Sequence, residues 1–184
     1  GGGDVLLGSH TLTLGTNNAT PQIFSGSISG SGALIKKNSG TQVFEGSNTY
    51  TGGTTITDGT LGLALGGQLY STGAVAIQSG TFDISGASST KTIGVLTSTS
   101  SGFVTLGSQH LIFDNGTTAF SRSVFSGTVS GTGASVFEKT GLGTFIFKGM
   151  GTLGTTTIDQ GIFLMSSILS SAFSVQSGGV LAGT

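Results

Sequence analysis

The sequence predicts an all-β chain wound as a parallel solenoid of about nine coils, with essentially no helix. Three observations carry that expectation. The chain repeats itself: Gly46 to Ala64 reads GSNTYTGGTTITDGTLGLA, and Gly149 to Met165 reads GMGTLGTTTIDQGIFLM. Short runs alternate apolar and small polar residues, the period of a half-buried strand. Glycine punctuates these runs, 35 of 184 residues against a single proline. A chain that duplicates itself is read as an array first, because each unit covers its neighbour's open face.

Taken in order, strands are expected at 11–14, 41–44, 55–57, 74–77, 103–106 and 144–147, nearly all bounded by Gly, Gly-Gly, Asp-Gly, Ser-Gly or Asn-Gly. β-branched and aromatic residues fill them, and the flanking dipeptides are turn formers. No stretch combines an apolar 3.6 period with helix caps. A hairpin sandwich would also give many short strands. The repetition favours coils of roughly 20 residues stacked about 4.8 Å apart, which makes the whole chain roughly 43 Å long.

The duplication organises the chain as one array over 1–184 in two approximate copies, about 5–84 and 104–184. Gly26 to Ala33 returns as Gly127 to Ala134 with each polar or apolar choice kept. Lys36, Gly40, Thr41 and Phe44 return as Lys139, Gly143, Thr144 and Phe147; Ile56 and Gly59 return as Ile158 and Gly161. Val75, Ile77 and Gly80 return as Phe173, Val175 and Gly178. Twelve phenylalanines supply much of the burial, and the matches of Phe24 with Phe125 and Phe44 with Phe147 predict inward ladders of stacked rings. Stacking adds about 0.5–1.5 kcal/mol beyond area burial.

Composition excludes several classes. Glycine without a three-residue period is not collagen. With 35% hydrophobic residues at regular spacing and only 7% charged, the chain has enough to bury and is not disordered. A net charge of −1 gives no field to hold a polyanion, so nucleic-acid binding is not expected. Lys36, Lys37, Lys139 and Lys148 follow the repeat register and are expected to line one edge.

The run from Gly32 to Leu61 holds Lys36, Gly40-Thr41, Asn48-Thr49-Tyr50-Thr51-Gly52-Gly53-Thr54-Thr55-Ile56 and Gly59-Thr60-Leu61. It resembles the passenger-associated transport repeat, also called the autotransporter-associated β-strand repeat. Asn38 and Ser39 replace the first Gly region of the usual pattern. In the second copy Lys139-Thr140-Gly141-Leu142-Gly143-Thr144 fits better, while the Asn-Thr-Tyr segment has become Gly151-Thr152-Leu153. The resemblance implies a right-handed parallel β-helix, carried across the outer membrane of a Gram-negative bacterium by a C-terminal β-barrel. It also implies residence outside the cell or on the outer-membrane surface. The absence of cysteine agrees, since no disulfide obstructs threading of an extended chain. Signal peptide and translocator are expected outside this chain, which then touches a membrane only through that translocator.

Catalytic chemistry is sparse. Asp58 and Asp159 lie just before glycines and Asp114 before Asn115-Gly116, the places where a tight turn wants an aspartate. Paired glycosidase carboxylates stand about 5–9.5 Å apart. Asp58 and Asp83, about one coil apart, are the only pair worth inspecting. His10 and His110 occupy similar places in the two copies, too far apart to share an ion, and read as exposed polar residues. Gly149 to Gly154 matches G-x-G-x-x-G, but a strand signal rather than a helix follows it. Asn18-Ala19-Thr20 and Asn115-Gly116-Thr117 are glycosylation sequons that read as turns. No cofactor, metal or catalytic residue is expected. The residues singled out, from Lys36 to Leu61 and from Lys139 to Gly161, are structural. The expected function is a non-catalytic structural or adhesive passenger with host-cell, matrix or self contacts along its length. A filament subunit stacking end to end and a β-helical polysaccharide-degrading enzyme are the alternatives.

Overall fold

The computed structural model describes residues 1–15 and 20–183 and contains, among them, strands and turns but no helix. All strand pairings among the described residues are parallel and join positions one turn apart. A hairpin sandwich would have paired its strands antiparallel. The chain is a parallel β-solenoid of about 8 turns, close to the nine expected and about 38 Å long at the strand spacing.

Three faces make up each turn. Face I stacks β2 (Leu12–Gly15), β5 (Leu34–Lys37), β7 (Thr54–Ile56), β9 (Val75–Ile77), β12 (Leu96–Ser98), β15 (Arg122–Phe125) and β18 (Thr144–Phe147). Face II stacks β3 (Gln22–Phe24), β6 (Thr41–Phe44), β8 (Thr60–Leu63), β10 (Thr81–Asp83), β13 (Phe103–Gly107) and β16 (Thr128–Gly131). Face III carries β1 (Val5–Leu6), β4 (Ile28–Ser29), β11 (Lys91–Ile93), β14 (His110–Asp114) and β17 (Val136–Thr140). The last two turns are continuous: β19 (Met150–Met165) and β20 (Leu169–Gly183) each bend through faces II, III and I, with register shifts at the corners. The step from Ser98 to Phe125 is the longest, because residues 115–121 form a corner loop instead of lengthening a rung.

In-register parallel pairing puts each inward side chain on top of its equivalent one turn away. On face I one column reads Leu14, Lys36, Ile56, Ile77. Face II gives Leu61, Phe82, Val104, Val129, and face III gives Phe113, Lys139, Ile158. Nearly all of these side chains are sealed from water. The N-terminal turns are filled mainly by aliphatic residues. Phenylalanine fills the C-terminal turns: Phe113 lies 4.6 Å from both Phe137 and Phe145, and Phe125 stacks on Phe147 at 5.7 Å. The expected ladders are thus short. Phe24 meets Phe44 edge-on at 6.0 Å, and this column continues as Leu63.

The matched residues of the two sequence copies do not share a face. Lys36 is on face I and Lys139 on face III; Gly40 to Phe44 lead into face II and Gly143 to Phe147 into face I. Ile28 is on face III and Val129 on face II; Val75 is on face I and Phe173 on face III. Every match is displaced by one face in the same sense. The matching unit, a strand, a corner and a strand, therefore stands at the corner from face I to face II in the first copy and from face III to face I in the second.

Phe44 is 1% exposed and Phe24, Leu63 and the core surround it, so Phe44→Asp is expected to cost about 3–5 kcal/mol by burying an unpaired charge. Urea unfolding followed by circular dichroism checks this. Unchanged stability would mean that Phe44 does not face the core.

Candidate functional site

The motif residues build corners. In the first copy Lys36 points inward from face I and is fully buried. Its Nζ donates to the carbonyls of Lys37 at 2.8 Å, Asn38 at 2.7 Å and, from the next turn, Asp58 at 3.3 Å. In the second copy the buried Lys139 Nζ donates to Thr140 at 3.3 Å, Gly141 at 2.8 Å and, from the next turn, Gln160 at 2.7 Å. Each ammonium thus holds its own corner and ties it to the following one. The expectation that Lys36, Lys37, Lys139 and Lys148 line one edge is overturned: Lys36 and Lys139 turn inward on different faces, and only Lys37 and Lys148 are exposed. A lysine can be buried at such a strand position because neighbouring turns offer carbonyls to take its protons, which offsets part of the desolvation cost.

Backbone geometry explains the rest of the motif. Two residues after each lysine the chain turns left-handed, at Asn38 (φ 61) and at Gly141 (φ 75). Asn is one of the few side chains that tolerates this region, which is why it stands where the usual pattern has Gly. Gly59 and Gly161 lie one turn on, also at positive φ. A Cβ on Gly161 would sit 2.6 Å from the carbonyl oxygens of both Gly141 and Gly143, so only hydrogen fits between the stacked corners. Thr41 and Thr144 open the strands that follow, and Ile56, Leu61, Phe147 and Ile158 are buried.

Asn48, Tyr50 and Gly52 stand in for the strand that face III lacks between β4 and β11, where the isolated bridges Ser47–Gln68 and Leu65–Ala87 are formed. Asn48 is 2% exposed. Its Oδ1 accepts from the Ile28 N–H at 3.0 Å while its Nδ2 donates to Gly46 O and Gln68 O. One amide thereby satisfies backbone groups of three successive turns. The Tyr50 ring fills the core with its hydroxyl 2.7 Å from Thr54 Oγ1, and burial pushes its phenol above the ordinary value. Gly52 lets the chain pass close against Gly32.

The acids hold backbone. Asp58 accepts from Gly59 N–H at 2.7 Å, Asp83 from Ser85 N–H at 2.8 Å, and Asp114 from Gly116 N–H at 2.8 Å. Asp4 accepts from the N–H and hydroxyl of Ser27, which hold its carboxyl below the usual range. Asp58 sits at the corner between faces I and II, whereas Asp83 lies within face II opposite Gly62 and Thr105, so the two are not brought to one point. His110 pairs with Glu138 at 2.8 Å on the outside of face III, and exposed His10 lies near Leu7 O. Among the described residues no group of three or more His, Cys, Asp or Glu is placed to hold a metal ion. Gly149 to Gly154 leads into β19, a strand, which removes the nucleotide reading. Asn115 of the second sequon is buried and accepts from the Ser123 hydroxyl; Asn18 and Ala19 of the first lie outside the described residues.

The exterior carries few charges. Outward columns on faces II and III run through Asp83, Thr105, Ser130 and Thr152, and through Ile112, Glu138, Thr157 and Ser174. Face I is more apolar at its C-terminal end, where Val124, Ile162 and Val180 point outward and Phe120 stands 94% exposed on the adjoining corner loop. On face III a groove of about 340 Å³ opens where the strand is missing. Sequence reasoning marked the buried side of that segment but not the groove, which no single stretch of sequence encloses.

Residues 34–63 match the model of the passenger-associated-transport-repeat family. Over 170 residues the chain is 34% identical to a protein named adhesin BmaC autotransporter from Brucella suis biovar 1 (strain 1330). That alignment takes in 90% of this chain and 5% of the relative, so the chain corresponds to a small part of such a protein. No solved structure was found to match.

Burial pushes the Lys139 ammonium down to about 8, with the Asp114 carboxylate pulling the other way. An unfolded lysine titrates near 10.4. Between these values the unfolded chain binds more protons, so this group's contribution to stability is lost as pH falls through about 8 and fully present above about 10.4. Unfolding midpoints are expected to rise from pH 8 to pH 10, and Lys139→Met to flatten the rise. Tyr50 acts oppositely above pH 10, because its folded phenol holds its proton longer.

Proposed function

The chain is autotransporter passenger sequence carrying a passenger-associated-transport repeat, and from that premise we propose that it is a non-catalytic adhesive segment displayed on the surface of a Gram-negative bacterium. The observation that carries this reading is the use made of the charged side chains. Lys36 and Lys139 are spent inside the corners, and Asp4, Asp58, Asp83 and Asp114 on backbone amides at turns. A glycosidase would keep two carboxylates free across a cleft. Here four of the seven acids hold backbone amides and Glu138 pairs with His110, so the exterior carries mostly Ser, Thr and aliphatic groups.

Such a body suits adhesion in two ways. Turns joined by parallel ladders and threaded by a continuous core resist bending, so a displayed segment stands off the cell as a stiff rod. Its outward faces carry mostly Ser and Thr with few charges, and the aliphatic end of face I beside Phe120 is of the kind that marks contact sites. The relative's name, adhesin, supports the same reading. Host cells and matrix are the intended surfaces.

The chain displayed on a heterologous bacterium is expected to raise retention on cultured cells or matrix-coated plates. Asp58→Asn together with Asp83→Asn should leave that retention within about twofold, since both carboxylates bond backbone amides of their own turns and Asp58 otherwise only favours the Lys36 ammonium beside it. Release of reducing ends from polysaccharide, abolished by the same pair, would overturn the non-catalytic reading.

A further inference from the structure

We propose that the groove on face III binds neutral saccharides; this rests on the adhesive reading above and gives it one ligand class. The groove exists because the turns around Thr49 and Tyr70 have no continuous strand on this face, and β11 with Thr92 bounds the recess on its far side. Asn48 and Tyr50 turn inward to satisfy the backbone and fill the core, and the chain outside them is left recessed. The space, about 340 Å³, lies at the lower end of the range for small-molecule sites. It crosses three successive turns, on the order of 10 Å at the strand spacing.

The chemistry of the lining selects the ligand. Thr49, Gln68, Tyr70, Ser71, Thr90 and Thr92 all border the groove and are exposed. Among the described residues none of these six side chains takes part in an intramolecular hydrogen bond. Several hydroxyls elsewhere are occupied, Thr57 by Lys36 O, Ser98 by the amides of Ser126 and Gly127, and Ser135 by Thr132 O. Others such as Thr105, Ser130 and Thr152, unpaired among the described residues, stand in rows on face II outside this groove. The groove therefore concentrates free groups that both donate and accept, as a sugar's hydroxyls do. None of the residues that line it is charged, so nothing there would neutralise a sulfate, carboxylate or phosphate. Tyr70 adds the one aromatic ring, 36% exposed, an apolar body with a polar tip against which the C–H face of a sugar packs. An apolar peptide segment would find little to bury here, since Leu69 is itself turned inward.

The test is an array of neutral hexose and N-acetylhexosamine oligosaccharides, printed with sialylated and sulfated counterparts and probed with the whole chain. Binding to neutral members, reduced at least tenfold by Tyr70→Ala and by Thr92→Lys with unchanged melting temperature, is expected. Tyr70→Phe keeps the ring and should retain most of the binding. Binding only to acidic glycans, no binding to any glycan, or binding untouched in both folded variants would overturn the proposal. Cell retention measured on the same variants separates the two readings. Retention that persists without glycan binding sinks the groove but not the adhesive role, whereas the absence of retention by the wild-type chain sinks the adhesive role itself.

Discussion

Each turn of this solenoid takes its backbone hydrogen bonds from the turn before and gives them to the turn after, and the other features follow from that. The bonds continue around the corners: Thr54 N–H reaches Ala74 O, Thr60 N–H reaches Gly40 O and Ile162 N–H reaches Gly143 O. A ladder in register leaves each residue no freedom over its neighbour, which is whatever stands one turn away. Packing thereby becomes a problem of columns. Aliphatic columns suffice in the N-terminal turns. In the C-terminal turns the lumen is filled by rings in contact across faces as well as along them, such as Phe113 with Phe145 and Phe145 with Phe163.

Corners are where such a ladder runs short of partners, since carbonyls there diverge from the strand direction. Two buried lysines answer this with one charged donor for three carbonyls apiece, drawn from adjacent turns. Burying an ammonium is costly unless its protons are used, and here they are. Asn48 does with a neutral amide what the lysines do with a charge. The same strand, corner and strand works at two different corners, from face I to face II in the first copy and from face III to face I in the second.

Using charge and amide groups inside has a consequence outside. The solvent side is mostly Ser, Thr, Gln and scattered aliphatic residues, with a few charges such as Lys37, Arg122, Lys148 and the His110–Glu138 pair. A surface of that kind offers many weak neutral contacts. It also makes conspicuous the place on face III where a strand is missing and free hydroxyls gather around Tyr70.

The strands, the turns and the repeating motif were legible in the sequence because their causes are local. Alternation in TQVF and TFIF, Asp58 before Gly59, and Gly161 at a positive φ act within a few residues of themselves. The structural standing of Phe44, Ile56 and Leu61 could be read from the motif on the same grounds. The direction of Lys36 and Lys139, the burial of Asn115, the separation of Asp58 from Asp83 and the recess on face III were decided by the tertiary structure alone. Each depends on which residue stands one turn away, and that depends on the summed length of every loop between, including the extra corner at 115–121. A strand carries its own period in its side chains, but its neighbour is fixed only once the coil has closed.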